Sequence, residues 1–459
     1  MSERAAIAEL PQHYFYPMLR FLFRNARRDP QKLAEDRRRH LATVVRHAWE
    51  QIPFYRDYWR SAGLSEHDFE SEIDLTRLPF VEKNQIVEAD ESACDARVPV
   101  EARQIMQTSG TSGRAIRVQR VAMEMRTPRR SILRMLRRAG AWPWHRFITY
   151  ASPWLRDRSG MFIQKVVKTS YLAPAATMDE QIARIEEFRP HGIIGQTGGL
   201  YLLAREIARR GQKFPMRWVA PTGTTLVPDM RRAMIEAFGS DPLDLYGAIE
   251  VGPVSWQCVR GNYHVDADRV IVEIVDAQGR RLPDGEFGQV VVTSLFSFTQ
   301  PFIRYRLLDI GALSTRTCDC GCRFPLMEPV QGRINDFLPT PGGELVTPHF
   351  FFHIYDAAGR SPVKEWRIIQ ENLESLLYEY IPEPNFDARV FEHGMQVIRE
   401  RFGGRCTLRT AQVSEVPMSP TGKRTCIISK LRPSEVAAFR PWIGEKVEQL
   451  VPGGAETPR

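Results

Sequence analysis

Thr108-Ser109-Gly110-Thr111-Ser112-Gly113 places four hydroxyl side chains and two glycines in six positions, followed by Arg114. Such a stretch makes a poor helix and a poor core strand. Its backbone N–H groups and hydroxyls can wrap phosphate oxygens. It is not the common P-loop, which has four residues between its glycines and then Lys and Ser/Thr. A surface turn would use the same residues. Three further stretches could work with it. Tyr246-Gly247-Ala248-Ile249-Glu250 ends a strand and sets a carboxylate just past it, where Glu250 could hold magnesium or be an ordinary surface acid. Pro301-Phe302-Ile303-Arg304-Tyr305-Arg306-Leu307-Leu308-Asp309 offers Asp309 to a pair of ribose hydroxyls, or else a strand with ion-paired edges. Pro417-Met418-Ser419-Pro420-Thr421-Gly422-Lys423-Arg424 presents Lys423 on a turn, either as a solvated tip or as a charge delivered to a site.

The seven cysteines cluster once, at Cys318-Asp319-Cys320-Gly321-Cys322, with Cys258 and His264 upstream. Cys258, His264, Cys318 and Cys320 would complete a tetrahedral Cys₃His zinc site, although the spacing is not that of a zinc finger, and free thiols are the alternative. Cys322 could replace one ligand. Cys94, Cys406 and Cys426 read as packing residues.

The elements that position these groups follow from periodicity. Leu41, Val44, Val45 and Ala48 recur at helical spacing, as do Ile182/Ile185, Leu200/Leu203/Ala204/Ile207 and Met230/Ala233/Met234/Ala237. Apolar strands Phe147–Tyr150, Ile193–Ile194, Trp218–Ala220 and Leu243–Tyr246 alternate with the later stripes, which predicts βαβ units around a mostly parallel sheet. From Arg269 the texture becomes antiparallel: Val270–Val275, turns at Gly279 and Asp284-Gly285, then Gln289–Leu295. Leu78–Lys83 reads as an extended lead-in to the Thr/Ser/Gly loop. His13–Arg28 mixes aromatic residues with arginines, and docking on the protein's own core is favoured over a membrane-surface helix.

A length of 459 residues implies more than one core. A boundary is expected near Gly332–Asp336, giving residues 1–334 as a large N-terminal domain, 335–450 as a small α+β domain and 451–459 as a frayed tail. Net charge is +8, from 63 basic and 55 acidic residues, diffuse enough to suit an anionic small substrate and not nucleic acid. The absence of a long apolar run excludes a membrane helix. The polar N-terminus and sparse cysteines lead us to expect a cytoplasmic protein.

In order and spacing these stretches resemble the adenylate-forming superfamily of acyl- and aryl-CoA ligases, and within it the phenylacetate–CoA ligase-like group with its capsular-polysaccharide branch. The likeness runs from Leu78-Pro79-Phe80 through the Thr/Ser/Gly loop, Tyr246–Glu250, Glu286–Gly288, Pro301–Asp309 and Gly332–Asp336 to Ser419–Arg424. It implies an α/β fold, a large domain of mixed sheets flanked by helices plus a small mobile C-terminal domain. By the resemblance Thr108, Ser109, Gly110, Thr111, Ser112 and Gly113 close over ATP phosphates. Glu250 helps bind Mg²⁺, Tyr246 and Gly247 lie at the adenine, and Asp309 holds the ribose with Arg304 beside it. Arg333 contacts the nucleotide near a hinge at Asn335/Asp336. Lys423 reaches the carboxylate and α-phosphate from the small domain. The acyl pocket is implied at Gly195, Gln196, Thr197, Gly198, Thr222, Gly223, Thr224 and Ala248, with Trp154 or Tyr150 as an aromatic wall. Gly342-Gly343-Glu344 is implied beside a pantetheine tunnel, and a structural Zn²⁺ at the four Cys/His residues is favoured.

The sequence departs from the family at Ala115-Ile116, where Pro-Lys is common, at Asn335, where a hinge Asp is common, and at Pro348–Phe352. The expected activity is ATP-dependent activation of a carboxylic acid, aromatic by expectation, as an acyl-adenylate, with transfer to the thiol of CoA or of a carrier protein's phosphopantetheine. The alternatives are transfer to an amine, an enzyme that stops at nucleotidyl transfer, and a non-catalytic nucleotide-binding protein of the same fold. The acid and the oligomeric state are not expressed in the sequence.

Overall fold

A computed structural model describes residues 24–70, 72–107, 116–150, 168–173, 176–333, 337–346, 350–351, 354–355, 358, 361–404, 406–417 and 426–431. The readings made at His13–Phe23, Thr108–Gly113, Trp154, Asn335/Asp336, Pro348-His349, Phe352, Lys423 and the tail lie outside those residues.

Helix α1 (Pro30–Gln51) starts where the Asp29 carboxylate accepts from the Gln31 and Lys32 amides, with Pro30 in the first turn. It buries the expected stripe of Leu41, Val44, Val45 and Ala48. Helix α2 (Pro53–Ser61) adds Tyr55 and Trp59, fully buried, and Tyr55 donates to the Pro301 carbonyl at 2.9 Å. A bridge pairs Val81 with Tyr305, but helix α3 (Lys83–Ala89) and two 3₁₀ turns follow. The extended Leu78–Glu82 segment therefore runs alongside the Tyr305 strand, not straight into the Thr/Ser/Gly loop.

Strands β1 (Arg103–Gln107) and β2 (Arg117–Val121) form an antiparallel hairpin whose last pair is Gln107↔Arg117. Helix α4 (Arg126–Arg138) precedes the main sheet. That sheet contains β3 (Phe147–Tyr150), β4 (Thr169–Leu172), β5 (Gly192–Gln196), β6 (Trp218–Thr222), β7 (Leu245–Ala248), β8 (Gly252–Gln257), β9 (Tyr263–Val265) and, further along the chain, β13 (Leu326–Met327). Their order is β13-β9-β8-β7-β6-β5-β3-β4. From β4 to β7 neighbours are parallel and from β7 to β13 antiparallel, so β7 is where the sheet changes sense.

The parallel half is built by α5 (Met178–Phe188), α6 (Thr197–Arg209) and α7 (Pro228–Phe238), each crossing back to the next strand. Thr177 and Glu180 cap α5 reciprocally, and Gly239 ends α7 at φ +72°, a backbone state open to glycine. Ile182, Ile185, Leu200, Leu203, Ala204, Ile207, Met234 and Ala237 pack in one core with Ile148, Ile193 and Val219, as their periodicity requires.

Strands β10 (Val270–Val275), β11 (Gly288–Ser294), β12 (Tyr305–Gly311) and β14 (Gly332–Arg333) form an antiparallel sheet. Val270 faces Ser294 and Val275 faces Gln289, the hairpin expected from the texture. Beyond it, β15 (Leu338–Pro339) and β16 (Leu345–Val346) form a ribbon. Strands β17 (Val363–Asn372), β18 (Ser375–Pro382), β19 (Thr407–Gln412) and β20 (Ile427–Ser429) form a last sheet in the order β19-β18-β17-β20. Helix α8 (Ala388–Phe402) packs Phe391, Met395, Ile398 and Phe402 into a core shared with Leu338, Ile368, Leu376 and Tyr378, separate from the cores before it. Among the described residues no helix is long and apolar enough to cross a membrane.

Candidate active site and cysteine–histidine cluster

Tyr246 lies on β7, where the main sheet switches from parallel to antiparallel, a place where open α/β sheets hold ligands. Gly247 is forced here: a Cβ would stand 2.6 Å from the Gly252 carbonyl oxygen of β8. The close approach lets the chain reverse at Ile249–Val251 and sets Glu250 just beyond the strand. The Tyr246 hydroxyl donates to Asp309 Oδ2 at 2.8 Å, joining two candidate residues 63 positions apart.

Asp309 owes its place to an irregular stretch of β12. Gln289 pairs with Ile310, but Val291 pairs with Arg306, so four positions on β12 span two on β11. Leu308 within that stretch has φ +61°, a conformation that non-glycine residues rarely adopt. Bulges of this kind re-aim side chains beside sites. Across the ladder Asp309 faces Arg333, so the backbone brings these two candidates opposite each other. The Tyr305 hydroxyl reaches Glu250 Oε1 at 3.4 Å.

The candidate acyl residues also converge. Gly195 pairs with Pro221 and Gln196 with Thr222 at the carboxyl ends of β5 and β6, and Thr222 pairs with Leu245, the first residue of β7. The buried Thr197 hydroxyl reaches the carbonyls of Thr222 and Thr224 at 3.2 and 3.1 Å, and the Thr222 hydroxyl donates to Leu245 at 2.9 Å. Gly223, at φ +92°, has open space where a Cβ would be. Gln196 and Gly223 are exposed, while Thr222 and Ala248 are half-buried. Tyr150 does not form a pocket wall. It is 5% exposed, and its ring fills the space above Gly199, where a Cβ would come within 2.1 Å of it.

The second constellation is built by a different pairing. β9 and β13 run antiparallel with His264 opposite Leu326, which brings the Cys318–Phe324 segment before β13 beside the strand that carries His264. One ligand atom from each of Cys258, His264, Cys318 and Cys320 lies within 4.8 Å of the others. The Cys258 and Cys318 sulfurs are 3.7 Å apart and Cys320 Sγ is 3.2 Å from His264 Nε2. Tetrahedral bonds of about 2.3 Å place two sulfurs about 3.8 Å apart, so the donor set fits such a centre. His264 Nδ1 lies 3.2 Å from the Phe324 carbonyl, which fixes the proton there and leaves Nε2 as the free donor. Burial pushes His264 down to about 4, so the ring is neutral at physiological pH. Burial also pushes the Cys318 thiol up, but N–H donors from the Cys320 backbone and Asn262, with the neighbouring thiols, leave it below its ordinary value. Cys322 is buried with its thiol pushed up to about 12 and stands outside the group.

Residues 338–430 match the family described as the CapK C-terminal domain. A phenylacetate–coenzyme A ligase of Thermus thermophilus is 24% identical over 420 residues, 86% of this chain and 94% of its own. A phenylacetate–coenzyme A ligase of Escherichia coli K12 is 27% identical over 312 residues, 65% of this chain and 70% of its own. The crystal structure of 2-hydroxyisobutyryl-CoA ligase in the postadenylation state, in complex with R3-HIB-AMP, shares the fold with a TM-score of 0.73 at 19% identity, over 95% of this chain and 96% of that one. Over most of its length the chain is similar to acid–CoA ligases of the phenylacetate–CoA ligase-like group, and over its C-terminal part to CapK.

One residue expected at the nucleotide, Arg304, is placed elsewhere. Arg304 is 4% exposed and holds Glu273 at 3.1 and 2.9 Å, with further bonds to the Thr76 and Leu78 carbonyls at 3.0 and 2.6 Å. Its guanidinium lies over Phe80 at 4.1 Å, on a ring that Arg306 also meets at 4.3 Å. Arg304 therefore knits the Leu78–Val81 segment to the β10–β12 sheet. Two participants carried no sequence signal of their own: Tyr305, which meets Glu250, and Arg120, which donates to the Glu250 main-chain carbonyl.

Tyr246→Phe removes one hydroxyl and leaves the ring. If Asp309 is oriented by that bond, the half-saturating ATP concentration in exchange assays should rise several-fold, about what an ordinary hydrogen bond contributes net, with the acid's unchanged.

Proposed function

We propose that this chain activates a carboxylic acid with ATP, forming an acyl-adenylate and pyrophosphate, and then transfers the acyl group to the thiol of CoA. The observation that carries the reading is the Tyr246–Asp309 hydrogen bond beside Glu250 at the end of β7. It gathers a carboxylate for a ribose, an aromatic ring for a base and a carboxylate for a divalent cation at one switch point of the sheet. The relatives named phenylacetate–coenzyme A ligase and the ligase structure holding an acyl-AMP agree with that chemistry.

The chemistry sets what each residue does. A carboxylate oxygen attacks the α-phosphorus and the bond to pyrophosphate breaks. Negative charge accumulates on phosphoryl oxygens, and donors already in place lower the barrier. Thr108–Gly113 would give N–H and hydroxyl donors to the phosphates, and Lys423 an ammonium at the α-phosphate and the attacking carboxylate. Asp309 accepts from the ribose, with Arg333 opposite it on the ladder. Glu250 would hold magnesium, whose charge offsets that of the triphosphate. In the second half-reaction the thiol attacks the acyl carbon and AMP leaves. Residues 335–450, turning about Asn335/Asp336, would bring the thiol's tunnel to the acyl group and withdraw Lys423.

Small residues at Gly195, Thr197, Thr222, Gly223 and Ala248 favour an acid with a ring or a branch, and we take an aromatic acid as the leading class. A carrier-bound phosphopantetheine or an amine as acceptor is the second reading, favoured by the departure at Pro348–Phe352. Thioester formation, followed with CoA and a panel of aryl and branched acids, separates them. Acyl-adenylate that accumulates without thioester would remove CoA from the account.

We also propose that Cys258, His264, Cys318 and Cys320 hold a structural zinc ion. Purified protein should contain about one zinc per chain, and Cys318→Ser should lower both metal content and unfolding temperature. Full-length folded protein without stoichiometric metal would overturn this assignment.

A further inference from the structure

We propose that the amino-terminal edge of the main sheet, with the Trp142–Trp144 turn beside it, docks this protein on an anionic lipid surface. β6, β5, β3 and β4 are adjacent and parallel, so the residues that enter them stand side by side. Those residues are Arg217, His191, Arg146 and Lys168. Main-chain bonds fix the row: the Arg217 N–H donates to the His191 carbonyl at 2.7 Å, the His191 N–H to Arg146 at 2.7 Å, and the Phe147 N–H to Lys168 at 2.9 Å. Arg217 and Lys168 are exposed. Arg146 is half-buried, and its guanidinium donates to the carbonyl of the exposed Arg189 at 2.9 and 2.6 Å. None of these four cations has an ion pair with a carboxylate among the described residues. Burial, then the Arg146, His145 and Arg217 charges, hold His191 below its ordinary value, and burial with Arg217 does the same to His145. The edge is therefore positive without an acidic group to offset it.

The apolar part of this surface is the turn before β3. Trp142 and Trp144 are 41% and 66% exposed, whereas every other tryptophan among the described residues is buried or half-buried. Their rings stack at 5.0 Å with planes 5° apart, and the Arg137 guanidinium lies on Trp142 at 3.6 Å. The turn is anchored to the basic row. His145 Nδ1 accepts from the Trp142 N–H at 2.9 Å, and the His145 ring packs 5.0 Å from His191 and 4.9 Å from Trp218. Indole rings concentrate where hydrocarbon meets headgroups, because an apolar body and a polar N–H suit that boundary. Each basic side chain near an anionic leaflet strengthens binding by about fivefold. Charges spaced about 4.8 Å apart along one sheet edge match an extended anionic surface better than a single small anion. The candidate acyl and nucleotide residues lie towards the other ends of β5, β6 and β7, so docking here turns them away from the lipid.

The test is co-sedimentation of the full-length protein with vesicles of phosphatidylcholine, alone or in equal mixture with phosphatidylglycerol. Binding should appear only with the anionic lipid and should weaken as salt rises. Trp144→Ala should lower the partition coefficient about tenfold, through lost apolar burial. Reversing two charges with Arg217→Glu and Lys168→Glu should lower it about a hundredfold. Melting temperatures of these surface variants should stay at the parent's, which separates lost docking from lost folding. Lipids brominated near the headgroup should quench tryptophan emission in the parent more than in Trp144→Ala. No binding to the anionic vesicles at low salt, or binding that both sets of variants leave intact, overturns the proposal. A dimer in lipid-free solution that Trp144→Ala dissociates also overturns it, because the face would then be an interface between two copies of this chain.

Discussion

Lys423→Ala is expected to lower carboxylate-dependent ATP–pyrophosphate exchange by about 10²–10³-fold, the usual loss when one pre-placed donor to a developing phosphoryl charge is removed. Adenylation brings a carboxylate up to a triphosphate, two anions in one site, and the charge peaks in the transition state. A lysine ammonium delivered there acts mainly on that state, so the rate at saturation should fall more than the half-saturating concentrations change. The thioester half-reaction, started from synthetic acyl-adenylate, should stay close to the parent's, because its reacting atoms are the acyl carbon and a thiol. Exchange within about threefold of the parent would remove Lys423 from the mechanism.

Arg134→Met should be strongly destabilising. Arg134 is fully buried and binds Asp268 through both terminal nitrogens at 2.7 and 2.8 Å, and also pairs with Asp266. Ser131 and Trp256 both donate to Asp266, at 2.5 and 3.3 Å, while Asn25 donates to Asp268 at 2.7 Å. Four residues on from Arg134, Arg138 donates to the Cys320 carbonyl at 3.0 Å, so one helix ties this network to the Cys/His cluster. Without Arg134, Asp266 still has Arg269, whereas Asp268 keeps the Asn25 amide but loses its ion pair. Breaking such a group by removing one partner costs about 3–5 kcal/mol. The orphaned Asp268 carboxylate would hold its proton more tightly folded than unfolded, so the deficit should grow as pH rises and shrink towards about pH 5. Urea unfolding at two pH values measures both. A loss under about 1 kcal/mol, or one that grows as pH falls, would contradict this reading of the network.

The parallel half of the fold was legible in the sequence because its helices carry a clean period: the Ile182 and Leu200 stripes are buried throughout, and of the third stripe Met234 and Ala237 are buried while Met230 and Ala233 are half-buried. The antiparallel hairpin from Val270 was legible from turn residues and alternation. Long-range pairing was not. Arg304 read as a nucleotide contact because its company on the chain was Tyr305, Arg306 and Asp309, whereas its carboxylate partner, Glu273, lies 31 positions earlier on another strand. Asp309 was found by its neighbours, but the bulge that aims it, and the Tyr246 hydroxyl that meets it, are properties of the folded ladder. The four Cys/His residues could be named from the sequence, yet the β9–β13 pairing that gathers them could not be derived from their spacing. The buried arginines escaped notice for a related reason. Nothing in Arg120 or Arg134 as single residues distinguishes an interior guanidinium from the many on the surface of a basic chain. Asp266 and Asp268 with Arg269 were the available signal, three charges in four positions between two apolar strands.

Carboxylate-dependent ATP–pyrophosphate exchange tests the central claim most directly. Purified full-length protein with magnesium, ATP and labelled pyrophosphate should incorporate label into ATP only when a suitable acid is present, with an aryl acid the leading candidate. Asp309→Ala should weaken that exchange through the ATP concentration required. Label incorporated without any acid, or no incorporation across aryl, branched and linear acids from a protein that still binds ATP, would contradict it and leave a nucleotide-binding protein without the adenylation chemistry.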